Sequence, residues 1–350
     1  MTTMLAAPPS ASVLRCDIPA PVPEHSPVLA ELMGGAIVLI VLAEAGGMLG
    51  WSESFHFELG VDILFILFGC ALARRPRSRA AAPFLAGQLG PILIPYWIVL
   101  TLYWASNTHF LQLHYNAGNL VLHYLGAQAC WGDASGLALN GQFCLVTALL
   151  AFVIFYRLGR TLLDSPERLL LAAAAIAAPV ALAFFYAGQS SSFGYLAQPL
   201  PGFFLGLLLG RLLAAGRIEL KVGATLALAA FILVYVPYTQ GVLFNAPIAG
   251  LGLMGVYVFG WKRLAAPALE KWTARILKFV GIYWLEILLI HEPLIRDYNY
   301  YLHGRWFGIG HPSRPTLALG MAIGLALTLL LSVLLRRLVR KLTPAVSHAS

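Results

Sequence analysis

Apolar residues in this chain come in long blocks separated by short polar gaps, without the strict alternation of half-buried strands. The hydrocarbon core of a bilayer is ~30 Å thick, and a helix needs about 20 mostly apolar residues to cross it. Read at that length, the blocks predict an all-α, polytopic membrane protein with ten transmembrane helices. They lie at 27–50, 59–73, 84–106, 139–156, 168–187, 196–215, 219–237, 241–261, 275–294 and 316–336. In the widest gap, 107–138, Leu120, Val121, Tyr124 and Leu125 fall on one face of a short interfacial helix. Gly202, Gly206 and Gly210 recur every fourth residue, as do Gly320 and Gly324, a spacing that lets helix backbones approach closely in lipid. Pro91, Pro95, Pro199, Pro201 and Pro247 interrupt or bound the blocks, where freed carbonyls can line a cavity.

The basic residues then orient the helices. Of 23 Lys and Arg residues, all but Arg296, Arg305 and Arg314 fall in every second gap or beyond the terminal blocks. By the positive-inside rule those gaps are cytoplasmic, with both chain termini inside. An even number of spans agrees with that placement. The net charge of +8 is therefore a topology signal, and with no clustered basic face it excludes a nucleic-acid partner. The composition, 59% hydrophobic and 11% charged, requires a lipid bilayer as solvent. Residues 1–26, rich in Ala, Pro and Ser, read as a disordered cytoplasmic arm, 27–341 as one membrane domain and 342–350 as a cytoplasmic tail. Cys16, Cys70, Cys130 and Cys144 show neither disulfide nor zinc spacing, and His109, His114 and His123 show no compact ligand spacing.

Ionisable groups inside spans are costly and are functional candidates by default. Glu44 lies near the outer end of the first span, Asp62 at the outer start of the second, and Glu286 within the ninth, which ends with His291 and Glu292. Asp62 and Glu292 are expected at the water interface, and Glu31 is expected to be solvated at the inner edge. Glu286 is deeper and needs a partner or a proton. Glu44 and His291 stand at similar depth on different helices. If they meet, the carboxylate can hold the imidazole in one tautomer for general-base catalysis, or the two can form a plain interhelical hydrogen bond.

Four phrases resemble the acyltransferase-3 family of integral membrane proteins. They are GVDILFILFGCALARRP (Gly60 to Pro76), PILIPYW (Pro91 to Trp97), PGFFLGLLLGRLL (Pro201 to Leu213) and GIYWLEILLIHEPL (Gly281 to Leu294). The resemblance spans 27–341. It implies transfer of an acyl group, usually acetyl, from cytoplasmic acyl-CoA to an envelope or exported polysaccharide or a lipid-linked sugar, at the bacterial inner (plasma) membrane and without a metal. In that family an Arg on the first helix and a His eleven residues later are associated with catalysis; here those positions fall at Met33 and Glu44. The basic pair ahead of the third-helix proline falls at Gln88 and Pro91, and the acidic residue before Gln142 and Phe143 at Asn140 or Gly141.

The site expected on this basis has Glu44 or His291 as catalytic base. Arg74, Arg75 and Arg77 attract the coenzyme's phosphates, and Asp62, Arg296, Arg305 and Trp306 contact the acceptor. Two alternatives stay open: a catalytically degenerate subunit working with other polysaccharide-synthesis proteins, and a transporter or flippase that uses Glu286.

Overall fold

In lipid no water satisfies main-chain polar groups, so the apolar blocks must bond internally, and they do so as helices. The computed structural model describes residues 27–50, 59–74, 81–110, 112, 114–128, 142–159, 168, 199–215, 245–261, 265–297 and 313–347. The helices are α1 (Pro27–Leu49), α2 (Leu59–Ala73), α3 (Ala81–Phe110), α4 (Ala117–Tyr124) and α5 (Phe143–Leu158). They continue with α6 (Leu200–Ala214), α7 (Asn245–Gly255), α8 (Pro267–Ile282), α9 (Trp284–Glu292) and α10 (Arg314–Ser347). Wide π-type turns extend α7 over Val256–Trp261 and α9 over Pro293–Asp297.

Among the described residues, three segments are long and apolar enough to cross a membrane alone: Pro27–Leu49, Phe84–Phe110 and Arg314–Leu342. Leu59–Ala73, Phe143–Leu158, Leu200–Ala214 and Ala249–Val258 are shorter apolar helices. The expected block 59–73 coincides with α2, and the expected short helix in the 107–138 gap is α4. Pro91 and Pro95 sit inside an unbroken α3. Apart from Arg168, the expected spans at 168–187 and 219–237 lie outside the described residues, as does the arm 1–26. Helix α10 runs on to Ser347, into the stretch read as a tail.

The bundle is built around α2, which packs on α1, α6 and α7. Glycine makes the α2–α6 contact possible: a Cβ on Gly206 would run into the Ile66 carbonyl, and one on Gly210 would lie 2.6 Å from the Cys70 oxygen. Above this seam Phe152 stacks on Phe203 at 4.5 Å and meets Phe65 edge-on at 5.4 Å, tying α5 to α2 and α6. Helices α1 and α8 meet in the same backbone-to-backbone way, with Gly34 against the Leu277 carbonyl and Gly281 against that of Ala30.

The ninth span departs from expectation. Instead of one helix over 275–294, the chain forms α8 and α9 with a break at Tyr283, where φ is −100° and ψ is 20°. The break frees the Ile282 carbonyl, and the Arg336 guanidinium of α10 reaches across to donate to it. The same guanidinium lies 5.4 Å from the centre of the Tyr283 ring. It is also 3.7 Å from the Glu286 carboxylate. A side chain from 54 positions away thus completes the kink. Glu286 has the partner its depth demands, so the structure gives it a packing role before any proton-carrying one.

Candidate active site

Four segments converge at the end of the bundle that carries Glu44. Helix α1 brings Glu44, the first turn of α5 brings Gln142, α9 brings His291 and Glu292, and the π turn after α9 brings Arg296. Pro293 does not stop α9. It widens the turn, so that Arg296 comes back beneath Glu292, with 2.5 Å between guanidinium and carboxylate. Arg296 also lies 3.7 Å from the second oxygen of Glu44. Gln142 binds both carboxylates: its backbone N–H donates to Glu292 and its side-chain amide to Glu44, each at 3.1 Å. A carboxylate at the first N–H groups of α5 is where the helix dipole favours negative charge.

His291 is completely buried within this cluster. Its Nδ1 lies 3.0 Å from the carbonyl oxygens of both Ile287 and Leu288. Carbonyl oxygens only accept, so Nδ1 carries a proton, and in the neutral form of the ring Nε2 is then the lone-pair acceptor. That Nε2 has no hydrogen-bond partner among the described residues. An unsatisfied buried polar atom costs ~1–3 kcal/mol. The Glu44 carboxylate stands within electrostatic range of the ring without bonding to it. The expected tautomer control by Glu44 is therefore corrected: the backbone of α9 sets the tautomer, and Glu44 is held by Gln142 and Arg296.

Other expected placements also change. Asp62 and Glu292, expected at the water interface, are 2% and 1% exposed. The Asp62 backbone and Cβ pack against Gly202 and Gly250. Glu31, expected to be solvated, is buried and accepts a hydrogen bond from the Tyr257 hydroxyl at 3.2 Å. Arg74 is exposed at the far end of α2. Met33, at the position expected from the resemblance to hold Arg, is fully buried in the apolar core. Arg75, Arg77, Arg305 and Trp306 lie outside the described residues. Gln142 carries no charge, and in the sequence only its place in the Gln–Phe pair marks it.

Helix α4 closes over the same end. Asn116 caps it by accepting from the Gly118 N–H at 2.8 Å. Tyr96 of α3 donates to the His123 carbonyl at 2.7 Å, and Trp97 to that of Tyr124 at 2.8 Å. The apolar face read from the sequence is split: Leu120 and Tyr124 pack on the core, whereas Val121 and Leu125 are exposed. Burial holds the His123 imidazole below its ordinary pKa of 6.5, against the opposing hydrogen bond to Asn119. A depressed His value means that the unfolded chain binds the proton first. The stabilisation is complete above about pH 6.5 and is lost as pH falls towards the folded-state value. Hydrogen exchange of the α4 amides is expected to quicken on acidification through that window. A His123→Asn variant should flatten the dependence.

Compared with protein families, residues 33–337 match a family model described as an acyltransferase domain. No curated protein and no solved structure matches the chain.

Proposed function

Because this chain belongs to the acyltransferase-3 family of polytopic integral membrane proteins of the plasma membrane, we propose that it is an O-acyltransferase with His291 as general base. The donor in this reading is acyl-CoA, with acetyl as the acyl group, and the acceptor is a hydroxyl of an exported or envelope polysaccharide or of a lipid-linked sugar. The observation that carries the reading is the buried His291 ring, whose Nδ1 is committed to backbone carbonyls and whose Nε2 is a lone-pair acceptor without a partner.

A sugar hydroxyl is a poor nucleophile at neutral pH, and a base must take its proton as it attacks. Nε2 removes that proton while the hydroxyl oxygen bonds to the thioester carbonyl carbon. The C–S bond then breaks, and the coenzyme leaves as thiolate and takes the proton from the imidazolium, which restores the neutral base. Glu44, fixed by Gln142 and Arg296, stabilises the imidazolium that forms in between. Glu44 itself is the weaker candidate for base, since both its oxygens are engaged. Both chain termini lie in the cytoplasm in this reading, so Arg74, Arg75 and Arg77 face the coenzyme's phosphates at the inner mouth. Arg296, with Arg305 and Trp306, faces the acceptor outside.

Full-length protein in lipid nanodiscs, given acetyl-CoA labelled in the acetyl group and a bacterial polysaccharide preparation, is expected to release coenzyme thiol and label the glycan. Neither thiol release nor label above that of heat-inactivated protein would refute the proposal.

A further inference from the structure

Helix α8 has three faces, and among the described residues only one is covered by protein. Leu277 and Gly281 turn towards α1, where the backbone contacts of Gly34 and Gly281 lock that face, and half-buried Ala274 and Glu270 continue the stripe. A second stripe, Leu269, Trp272, Ile276 and Phe279, is exposed, with Trp272 at 63%. A third stripe, Lys271, Arg275 and Lys278, is also exposed and repeats at helical i, i+4, i+7 spacing. None of these three cations has an ion-pair partner among the described residues. The only acidic residue of the helix, Glu270, is half-buried in its first turn.

The depth of the stripe follows from the α1 contact. Leu277–Gly281 lies level with Ala30–Gly34, close to where α1 begins at Pro27. At ~1.5 Å rise per residue, Lys278 stands near that boundary, and Arg275 and Lys271 reach ~5 and ~10 Å beyond it. The headgroup layer on each side of a bilayer is about 5–8 Å thick. Phe279, level with that boundary, therefore meets acyl chains, whereas Trp272 and Leu269 share the headgroup depth of Arg275 and Lys271. Among the described residues the covered face has its partner in α1, and of the two exposed faces the basic one calls for anions.

We propose that Lys271, Arg275 and Lys278 form a binding site for anionic phospholipid headgroups, which anchors α8 and, through the α1 seam, the inner half of α1. This goes beyond the acyl-transfer reading and does not depend on it. Basic residues set beside an apolar stripe at headgroup depth attract anionic lipid, and the attraction weakens with salt.

The test uses the full chain in phosphatidylcholine membranes containing trace spin-labelled phosphatidylglycerol or spin-labelled phosphatidylcholine. The measured quantity is the fraction of each label that is motionally restricted at the protein surface. Phosphatidylglycerol is expected to be preferred by about threefold to tenfold at low salt. In the K271Q/R275Q/K278Q variant the preference should fall to about twofold or less. It should survive in K271R/R275K/K278R, which keeps the charge, and in R337Q/K341Q, which removes charge from α10. Equal preference in wild type and the Gln variant overturns the proposal. So does an equal fall in the α10 variant, which would mean general surface charge. A stripe that instead served the coenzyme would show no lipid preference and a change of Trp fluorescence with free coenzyme A that the Gln variant lacks, and that result also overturns it.

Discussion

Replacing His291 by Ala is expected to lower the acyl-transfer rate by about 10²–10⁴-fold, the contribution usual for a positioned general base. The loss should fall on kcat, with little change in KM for acetyl-CoA, since the base acts in the transition state and is remote from the coenzyme's nucleotide. His291→Asn sharpens the test. An Asn amide can donate to the Ile287 or Leu288 carbonyl as Nδ1 does, but it offers no basic nitrogen. If Asn is as inactive as Ala while its thermal unfolding matches wild type, packing is not the cause. If both variants retain activity within a few-fold of wild type, His291 is not the base. The non-catalytic reading predicts a different pattern: no labelled product from wild type, and an unchanged cellular phenotype in the variants. Its one structural support is Met33, an apolar side chain packed in the core where the resemblance places a catalytic Arg.

The helices were legible where local sequence alone decides them. Helix α2 is legible at its end because the apolar run from Ile63 to Ala73 stops at Arg74, and α1 ends beside Gly50, whose φ of 71° suits glycine. The kink at Tyr283 was not legible, because it depends on Arg336, supplied by a helix far along the chain. The same holds for burial of charged groups. Glu31, Glu292 and Glu286 look like interface or isolated residues in one dimension. Tyr257, the Gln142–Arg296 pair and Arg336 respectively make their burial tolerable. Depth along a span can be counted from sequence; the identity of a distant partner cannot. Hence Glu44 and His291 stand out in the sequence as ionisable residues inside spans, while nothing ionisable marks Gln142, which joins Glu44 to Glu292.

Breaking the Glu286–Arg336 pair should have the largest effect on stability. Both side chains are largely buried, 8% and 12% exposed, and the guanidinium serves the Glu286 carboxylate, the Ile282 carbonyl and the Tyr283 ring together. Arg336→Leu leaves a buried carboxylate and a buried carbonyl without their donor, a change that typically costs ~3–5 kcal/mol. The Glu286→Gln, Arg336→Leu double variant removes the stranded charge and should recover part of that loss, since a buried pair replaced as a whole is often near neutral. Chemical or thermal unfolding of the two single variants and the double variant in the same membrane mimic gives the coupling directly. Additive losses would mean that the two side chains do not act as a unit. The kink supplies a second readout. With Arg336 gone, α9 loses the contact that fixes its angle to α8, and His291 moves with it. Arg336→Leu is therefore expected to reduce acyl transfer even in the folded fraction, whereas a proton-carrying Glu286 would make Glu286→Gln the more damaging change of the two.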